Sequence, residues 1–551
     1  MPEILPAQAD DQIVFMRRGG SPYILDGKPV EGPVVGTKGG IQYVVGERDS
    51  SFTRASPEDL RRVLKLSEQA AQGLIEATTP AEIYRNGVDG DRSKLCLVFT
   101  SGGEGSSIGV NIARVASDIG STHVVLGTWQ GFGSGVKTKD KFAQSLTVIN
   151  DPRVLERWRN TGGSPFGMSR TKIEPDSAEE KQLAENSDGV GMVYGNGGGD
   201  HSKNFMTLSR KLTAEGRKTV VGVTPKSMDN DLSVTQDDGS TVNSLMIGYL
   251  STAHTMRRHW FDEMQSAAGA GRAVVGYFFS RGAGWTVLGA TRCDEEYVKR
   301  MKEDGILTPD LENKMDSLGS KQIGLGPEFP VSIGFFVNRV NEVFAKGRDK
   351  FVGVAVSEGF MFKELDREYQ RLTSDLKSGK LKKEEVMELA AKGEFDKLIQ
   401  DPQLREVFNK KKDIAKEFFK VVAEPELDNW DHPKIRIMPQ IVDAVVNMLT
   451  NAKKTNYVEI KYEARTGETI PSDRKLAENT GALAAEKLKA GESGLTTVTY
   501  KDGEDPLLID TAQRKPSFIP FERITDMNEK HNNLKTLDRN YLRSLGILIE
   551  D

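Results

Sequence analysis

The chain has 551 residues, of which 37% are hydrophobic and 28% are charged, and its net charge at pH 7 is −5. This composition is typical of a soluble globular protein. Because both charge signs are spread along the sequence, no basic field favours binding to nucleic acid or to a membrane surface.

The cysteine count and the N-terminal sequence indicate the cellular compartment in which we expect the protein. Cys96 and Cys293 are the only cysteines, so at most one disulfide can form, which suggests a reducing environment. The start, MPEILPAQADDQ, lacks the basic residues and apolar core of a signal peptide. No apolar run approaches the ~20 residues that span a bilayer. We therefore expect a cytoplasmic protein that binds neither nucleic acid nor membrane.

Apolar runs followed by glycine-rich turns organise the chain. After a predicted helix at 56–77, such runs lie at 93–100, 123–129, 189–195, 218–223, 272–279 and 350–356. Helical patterns follow several of them, as at 108–120 and 203–216. This alternation predicts an α/β fold with doubly wound layers around parallel sheets. Residues 362–425 are charged, with alternating signs, and predict a solvated helical insertion.

Glycine-rich loops recur at three predicted strand ends, 102–109, 131–135 and 195–202. None has the spacing of a dinucleotide-binding fingerprint or of a Walker A loop. One such loop alone is more simply explained as a tight turn. Three of them at the carboxyl ends of strands favour a ligand site, and free N–H groups at a helix start suit a phosphate.

Carboxylates and cations occupy the same strand ends. Asp200 follows three glycines, and TPKSMDND at 224–231 contributes a lysine and two aspartates after the next strand. A single aspartate there is more often a helix cap or a turn residue. Phosphoryl transfer, however, needs a carboxylate for Mg²⁺, a base for the attacking hydroxyl and cations on the transferred group. Lys226 and Arg170 are the candidate cations.

In their order along the chain, these motifs resemble those of the phosphofructokinase family. The matching segments are TSGGEGSSIGVN (100–111), GGSPFGMSR (162–170), GGDHS (198–202), PKSMDND (225–231), FSRGAGW (279–285), SEGF (357–360) and YEARTGETIPSDRKLA (462–477). The sequence departs from the family pattern at Glu104, which replaces an aspartate, and at Ser227, which replaces a threonine. Phe279 and Ser280 replace a methionine and a glycine, and Asn456 replaces an arginine.

The resemblance implies two Rossmann-like lobes with additions. We expect an N-terminal extension at 1–90, a phosphoryl-donor lobe at 91–240, a sugar-phosphate lobe at 241–361, a helical insertion at 362–435, and a return to both lobes with a C-terminal tail at 436–551. The length, the extension and the insertion resemble the long pyrophosphate-dependent branch of the family.

The resemblance also implies roles for matching residues. Asp229 would take the proton from the sugar 1-hydroxyl, with Lys226 and Arg281 as further catalytic groups, and Asp200 would hold Mg²⁺. The expected donor-binding residues are Gly102, Gly103, Arg170, Gly199, Asp200, His201 and Ser202. The expected sugar-phosphate residues are Ser227, Asp231, Arg272, Phe279, Ser280, Arg281, Glu358, Tyr462 and Arg465.

Arg272 indicates how subunits of the protein are expected to associate. It matches a family arginine that often reaches the sugar phosphate of a neighbouring subunit. The resemblance therefore implies a homodimer or a homotetramer.

His201 bears on the phosphoryl donor. At this position the family has glycine in ATP users and aspartate in pyrophosphate users. The imidazole fills the space that the ATP α-phosphate needs, although as a cation it could instead attract a phosphate. We therefore favour a reversible, Mg²⁺-dependent transfer from pyrophosphate to fructose 6-phosphate, giving fructose 1,6-bisphosphate. An ATP-dependent 6-phosphofructokinase, a non-catalytic regulatory relative and a different phosphorylated ketose remain alternatives.

Overall fold

The structure, a computed structural model, describes residues 80–551 except 89, 102–104, 150–151, 160–161, 426–436, 453, 461 and 530. Of the first 79 residues it describes only the backbone of six strands, and it does not describe the side chains at 152–154, 157 and 462–463. The predicted helix at 56–77 and the predicted donor residues Gly102 and Gly103 therefore lie outside the described residues.

The strands β1–β20 are numbered in chain order. They span Ile4–Gln8, Asp11–Met16, Ile24–Leu25, Lys28–Pro29, Val34–Lys38, Ile41–Glu47, Leu95–Thr100, Val124–Thr128, Leu146–Val148, Met192–Gly197, Val220–Pro225, Ser233–Gln236, Thr241–Leu245, Ala273–Phe278, Gln322–Leu325, Val352–Ser357, Thr455–Ile460, Gly494–Tyr500, Ser517–Pro520 and Ile524–Asn528.

The helices α1–α19 follow the same convention. They span Pro80–Asn86, Ile108–Ile119, Phe132–Gly135, Lys139–Ala143, Pro152–Arg159, Ala178–Asn186, Gly199–Ala214, Tyr249–Ala270, Trp285–Thr291, Glu295–Glu303, Pro309–Leu318, Ile333–Ala345, Lys363–Lys377, Lys383–Lys392, Pro402–Lys410, Lys412–Ala423, Met438–Leu449, Pro471–Lys489 and Arg539–Ser544. Short 3₁₀ helices include Tyr462–Arg465 and Phe521–Arg523.

The largest sheet carries the predicted donor residues. Its order is β20-β12-β13-β18-β11-β10-β7-β8-β9, with β19 paired to β18. Strands β18, β11, β10, β7 and β8 run parallel, whereas the outer strands pair antiparallel. Because β10 and β11 are parallel neighbours, the segments 197–202 and 226–231 emerge at the same edge of the sheet.

A second sheet carries the predicted sugar-phosphate residues. Its order is β15-β16-β14-β17, and all of its pairs are parallel. Every residue of β14 and β16 is buried, which accounts for their almost continuous apolar sequence. The helix α8 begins after Gly248, and Asp473 caps this start by accepting hydrogen bonds from the Gly248 and Ser251 amides at 2.9 and 3.1 Å.

The predicted helical insertion is helical, over α13–α16. Its charged residues cover an aromatic interior in which the rings of Phe395 and Phe419 stack with centroids 5.7 Å apart. Phe408 and Phe418 are also buried there and belong to the same core as the second sheet. The buried rings offer no platform on which bases could stack.

The six apolar runs all form strands, with ends that differ from the predicted ones by at most three residues. The predicted α/β class with parallel sheets is confirmed. Both cysteines, Cys96 and Cys293, are unbonded. Within the described part of the chain, no helix combines the length and the apolar character needed to cross a membrane.

Candidate active site

The start of α7 forms the first part of the site. The backbone leaves β10 through Gly198, and the helix begins at Gly199 with Asp200 in its first turn. Ser202, a predicted donor-binding residue, is buried, and its hydroxyl donates to the Gly197 carbonyl at 3.3 Å. Its amide donates to the Gly198 carbonyl at 2.8 Å. Ser202 thus helps to hold the turn that presents Asp200.

The segment after β11 forms the second part. The Lys226 side chain is buried, and its amide donates to the Gly197 carbonyl at 2.9 Å, which ties this segment to the start of α7. The Ser227 hydroxyl accepts the Asp229 amide at 3.0 Å and lies 3.5 Å from Asp229 Oδ2. The other carboxylate oxygen, Oδ1, is buried and has no hydrogen-bond partner among the described residues.

Asn230 fixes the turn between the two aspartates. Its φ of 49° lies in the left-handed region, which asparagine tolerates better than most residues. Its side chain donates to Tyr500 Oη at 2.9 Å and accepts the Met246 amide at 3.0 Å. Tyr500 in turn donates to Asn532 Oδ1 at 2.7 Å. This buried network directs the carboxylates on either side of Asn230 toward the edge of the sheet.

A fourth acidic residue, Glu529, joins the site from the C-terminal segment. Its Oε1 accepts a hydrogen bond from the Asp200 amide at 2.9 Å. The side chain also packs on Gly199, because a Cβ at that position would overlap Glu529 Oε1. Glu529 lies 329 residues from Asp200 in sequence and belongs to none of the motifs.

The carboxylates repel one another. Desolvation, followed by the charges of Asp200 and Asp229, raises the pKa of Glu529 to about 7, and Lys203 opposes this shift. Desolvation and the charges of Glu529, Asp229 and Asp200 raise the pKa of Asp231 well above its usual range. The carboxylates therefore disfavour one another's charged forms, and a bound cation would relieve this repulsion.

The residues fit a magnesium ion of the kind that accompanies phosphates. Among the described residues, no group of three or more His, Cys, Asp or Glu side chains is arranged to hold a metal ion. Mg²⁺ needs no such cage, since it keeps several waters and binds through one or two carboxylates together with substrate phosphates. The repulsion around Asp231 fits such an ion, and Asp200 is its predicted ligand.

Burial and nearby cations favour the neutral form of the His201 side chain. Its side chain is buried, and its Nε2 atom has no hydrogen-bond partner among the described residues. Desolvation, followed by the charges of Lys226 and Arg170, lowers its pKa to about 3. Two neighbouring cations and burial therefore disfavour the alternative that His201 attracts a phosphate as a cation. Because their charges lower this pKa, Lys226 and the exposed Arg170 must lie near the imidazole.

The loops after β14 and β16 carry residues that are predicted to bind the sugar phosphate. Ser280 has a φ of 140°, a conformation that favours glycine, and its carbonyl accepts the Ser357 hydroxyl and the Gly359 amide. A Cβ at Gly359 would overlap the Arg281 carbonyl oxygen. This close approach brings Arg281 beside Glu358, with Nε and Oε1 3.8 Å apart.

Arg465 links the two sides of the site. Its guanidinium carbon lies 5.0 Å from the centre of the Phe279 ring, which is a cation–π contact. Its Nε lies 2.9 Å from the sulfur of Met228, within the segment that carries Asp229. The backbone of Tyr462 lies in the same 3₁₀ helix as Arg465, but its side chain is not among the described ones.

Comparisons with known proteins bear on this arrangement. No family model and no curated protein matches the chain. A pyrophosphate-dependent phosphofructokinase from Nitrosospira multiformis superposes with a TM-score of 0.51 and 16% sequence identity, covering 83% of this chain and 93% of that one. The chain has the phosphofructokinase fold.

Two further solved structures are similar to the chain. The pyrophosphate-dependent phosphofructokinase from Marinobacter aquaeolei has a TM-score of 0.49 and 16% identity, covering 83% of this chain and 92% of that one. The phosphofructokinase from Saccharomyces cerevisiae has a TM-score of 0.47 and 16% identity, covering 78% of this chain and 45% of that one.

Within this phosphofructokinase fold, Arg272 lies apart from the other predicted residues. It precedes β14, whereas Phe279 and Arg281 follow that strand, so the rise per residue separates Arg272 from Phe279 by roughly 20 Å. Its Nη1 donates to Asn456 Oδ1 at 2.9 Å, at the start of the neighbouring strand β17. The candidate site in one chain therefore brings together residues that follow strands of both sheets, without Arg272.

Proposed function

We propose that the chain is an active phosphofructokinase that transfers a phosphoryl group from pyrophosphate to the 1-hydroxyl of fructose 6-phosphate, a pyrophosphate–fructose 6-phosphate 1-phosphotransferase. The observation that carries this proposal is the hydrogen bonding of the Asp229 carboxylate. One carboxylate oxygen is supported by Ser227, and the other has no hydrogen-bond partner among the described residues. A carboxylate in this state suits a general base that accepts a hydroxyl proton.

The donor lies, in this proposal, along the start of α7. The helix start favours phosphate oxygens through its backbone amides and its dipole. Asp200 holds Mg²⁺ on the donor, and Lys226 and Arg170 neutralise charge on the transferred group and on the leaving phosphate. Gly102 and Gly103 would add backbone contacts, as the resemblance implies.

The preference for pyrophosphate follows from His201. Its neutral imidazole stands directly after Asp200, where a nucleotide would need room for a third phosphate. Because the imidazole fills that space, ATP would clash with it and would be excluded. Two cations near the imidazole suit a second phosphate that carries no nucleoside.

The sugar phosphate lies against the second sheet in this proposal. Arg281 and Arg465 supply guanidinium groups, which bind a dianionic phosphate well because each offers several donors in a fixed plane. Glu358 and Asp231 accept hydrogen bonds from sugar hydroxyls. Arg272 would reach the same phosphate from a neighbouring subunit, and the active unit would then be a homodimer or a homotetramer.

An activity panel tests the proposal. The purified chain is assayed with fructose 6-phosphate and Mg²⁺ in the presence of pyrophosphate or ATP, and the reverse reaction is assayed with fructose 1,6-bisphosphate and phosphate. We expect turnover with pyrophosphate in both directions and a lower kcat/KM with ATP. A higher kcat/KM with ATP would overturn the donor assignment, and no turnover with either donor would favour a non-catalytic relative.

A further inference from the structure

Glu328 is a buried glutamate that follows β15 and belongs to none of the motifs. Its Oε1 accepts the Gly284 amide at 2.7 Å and the Leu534 amide at 3.0 Å. Gly284 lies directly before α9, at the end of the loop that carries Arg281. Leu534 lies on the C-terminal segment that also carries Glu529. One carboxylate oxygen therefore joins three segments that are far apart in the sequence.

Two glycines make room for the other carboxylate oxygen, Oε2. A Cβ at Gly284 or at Gly326 would lie 2.8 Å from this oxygen. The Oε2 atom of Glu328 is buried and has no hydrogen-bond partner among the described residues. The carboxylate is thus enclosed, and the two amides that Oε1 accepts are its hydrogen-bond partners there.

The loop that carries Arg281 is closed by a hydrogen bond of its own. The Thr286 hydroxyl, in the first turn of α9, donates to the Phe279 carbonyl at 2.8 Å. A loop that is tied together at its two ends moves as a unit. A shift of Gly284 is therefore expected to be passed on to Arg281.

The C-terminal segment is itself fixed to the largest sheet. The Asn532 side chain donates to the Leu232 carbonyl at 3.1 Å, and Leu232 directly follows Asp231. Through this segment, Glu328 connects the loop of Arg281 to the strand end that carries Asp231.

We propose that Glu328 is a positioning residue that holds Arg281 where it binds the sugar phosphate, acting through the loop rather than by touching the substrate. A guanidinium offers its donors in a fixed plane, so its hydrogen bonds to a phosphate depend on where its backbone is held. This inference rests on the proposed function, which assigns Arg281 to the sugar phosphate.

Glu328→Met tests the inference, because it removes the acceptor and keeps an unbranched side chain of similar length. Glu364→Met is the matched control. Glu364 is also buried and also accepts a main-chain amide at a helix start, that of Ile333 at 3.0 Å. The KM values for fructose 6-phosphate and for pyrophosphate are measured for both variants, and Glu328→Met is also combined with Arg281→Ala.

We expect Glu328→Met to raise the KM for fructose 6-phosphate by ~10-fold or more, the scale of a lost hydrogen bond to a charged group. The KM for pyrophosphate is expected to stay nearly unchanged, and Glu364→Met is expected to change neither constant. When Arg281 is already alanine, Glu328→Met is expected to add little, because residues that act through one another are not additive. An equally large rise without Arg281, or equal rises in both KM values, would overturn the inference.

Gly326→Ala decides the question if Glu328→Met does not fold. It keeps the acceptor, and its Cβ would displace the ends of the Glu328 and Leu534 side chains. We expect a smaller rise in the KM for fructose 6-phosphate, and an unchanged KM would overturn the inference.

Amide hydrogen exchange at residues 280–284 separates failure of this inference from failure of the proposed function. We expect faster exchange there in Glu328→Met, or in Gly326→Ala, than in the wild type and in Glu364→Met. Unchanged exchange would overturn the inference whatever the activity. Faster exchange in a chain whose wild type neither turns over nor binds fructose 6-phosphate would support Glu328 as the residue that holds the loop and would overturn the proposed function.

Discussion

Asp229 presents two carboxylate oxygens in different surroundings, and this asymmetry defines its expected role. Ser227 orients Oδ2, which leaves the buried Oδ1 for a substrate hydroxyl. Replacing the carboxylate by an amide keeps the shape and removes the proton acceptor.

We expect Asp229→Asn to lower kcat by at least ~10²-fold, the usual scale for a lost general base, with little change in KM for either substrate. Steady-state kinetics measure both constants, and a thermal melt checks that the variant folds. Near-normal turnover in the variant would remove Asp229 from the role of base.

His201 is expected to decide between donors. We expect His201→Gly to raise the KM for pyrophosphate, because the imidazole packs beside the phosphates, and to raise the ratio of kcat/KM for ATP to that for pyrophosphate. Kinetics with both donors measure the ratio. An unchanged ratio would show that the imidazole does not discriminate against ATP.

Buried neutral histidines also make stability depend on pH. Desolvation, followed by the charges of Arg257 and Arg258, lowers the pKa of His254 to about 3 from its usual 6.5. Between these values the unfolded chain binds one proton more at this residue, so stability falls as the pH falls from 6.5 toward 3.

We expect His254→Gln to flatten this loss by about 1.4 kcal/mol per pH unit, which corresponds to one proton. Urea unfolding at several pH values between 4 and 7 measures the free energy of unfolding of both proteins. Parallel curves for the two proteins would contradict the assigned pKa.

At the scale of elements, the contact between two strand-end loops positions the sugar-phosphate residues. Gly359 lies against the Arg281 carbonyl, where a Cβ would overlap main-chain atoms that cannot rotate away. The loops after β14 and β16 would have to separate to admit a methyl group.

We expect Gly359→Ala to destabilise the fold by ~1–3 kcal/mol, the usual cost of overpacking, and to raise the KM for fructose 6-phosphate more than that for pyrophosphate. Gly334→Ala is the control, because Gly334 lies in α12 with nothing within 4 Å of an added Cβ. There alanine is expected to stabilise the helix by up to ~1 kcal/mol. Equal effects of the two changes would contradict the role of the loop contact.

The elements differ in how far sequence could predict them. The strands β7, β10, β11, β14 and β16 are almost completely buried and mostly apolar, as is typical of strands in a covered parallel sheet, so the local sequence predicts them. The strands β12 and β13 are short and carry polar residues, and their pairing with β18 and β20 depends on chain segments far away. No local pattern encodes that pairing.

The same distinction applies to the site. Asp200 and Asp229 stand in motifs at strand ends, so their convergence could be predicted once β10 and β11 were taken as neighbours. Glu529 could not be predicted, because contacts between distant segments, such as the pairing of Asn528 with Ser233, bring it to the site. The local sequence indicates a strand end at most.

At the scale of the whole molecule, Arg272 is the predicted contact between subunits. It donates to Asn456 at the end of β14 that lies away from the other sugar-phosphate residues. If Arg272 contacts a sugar phosphate, as the resemblance implies, we expect that site to lie in another copy of the chain.

We expect Arg272→Ala to raise the KM for fructose 6-phosphate by ~10-fold or more, as for a lost charged hydrogen bond of ~1.5–3 kcal/mol, and to leave the KM for pyrophosphate nearly unchanged. Kinetics combined with sedimentation at the assay concentration test this expectation. A fully active monomer would contradict a shared site.

The position of β18 has a consequence for the newly made protein. This strand lies between β11 and β13, although the ribosome makes β11 about 270 residues earlier. At typical rates of ~5–20 residues per second, the edge of β11 waits roughly 15 to 50 s for its partner. An unpaired strand edge is a template for association with other chains. Nascent chains that stop before Gly494 are therefore expected to aggregate. The largest sheet is completed only when synthesis of the chain is almost finished.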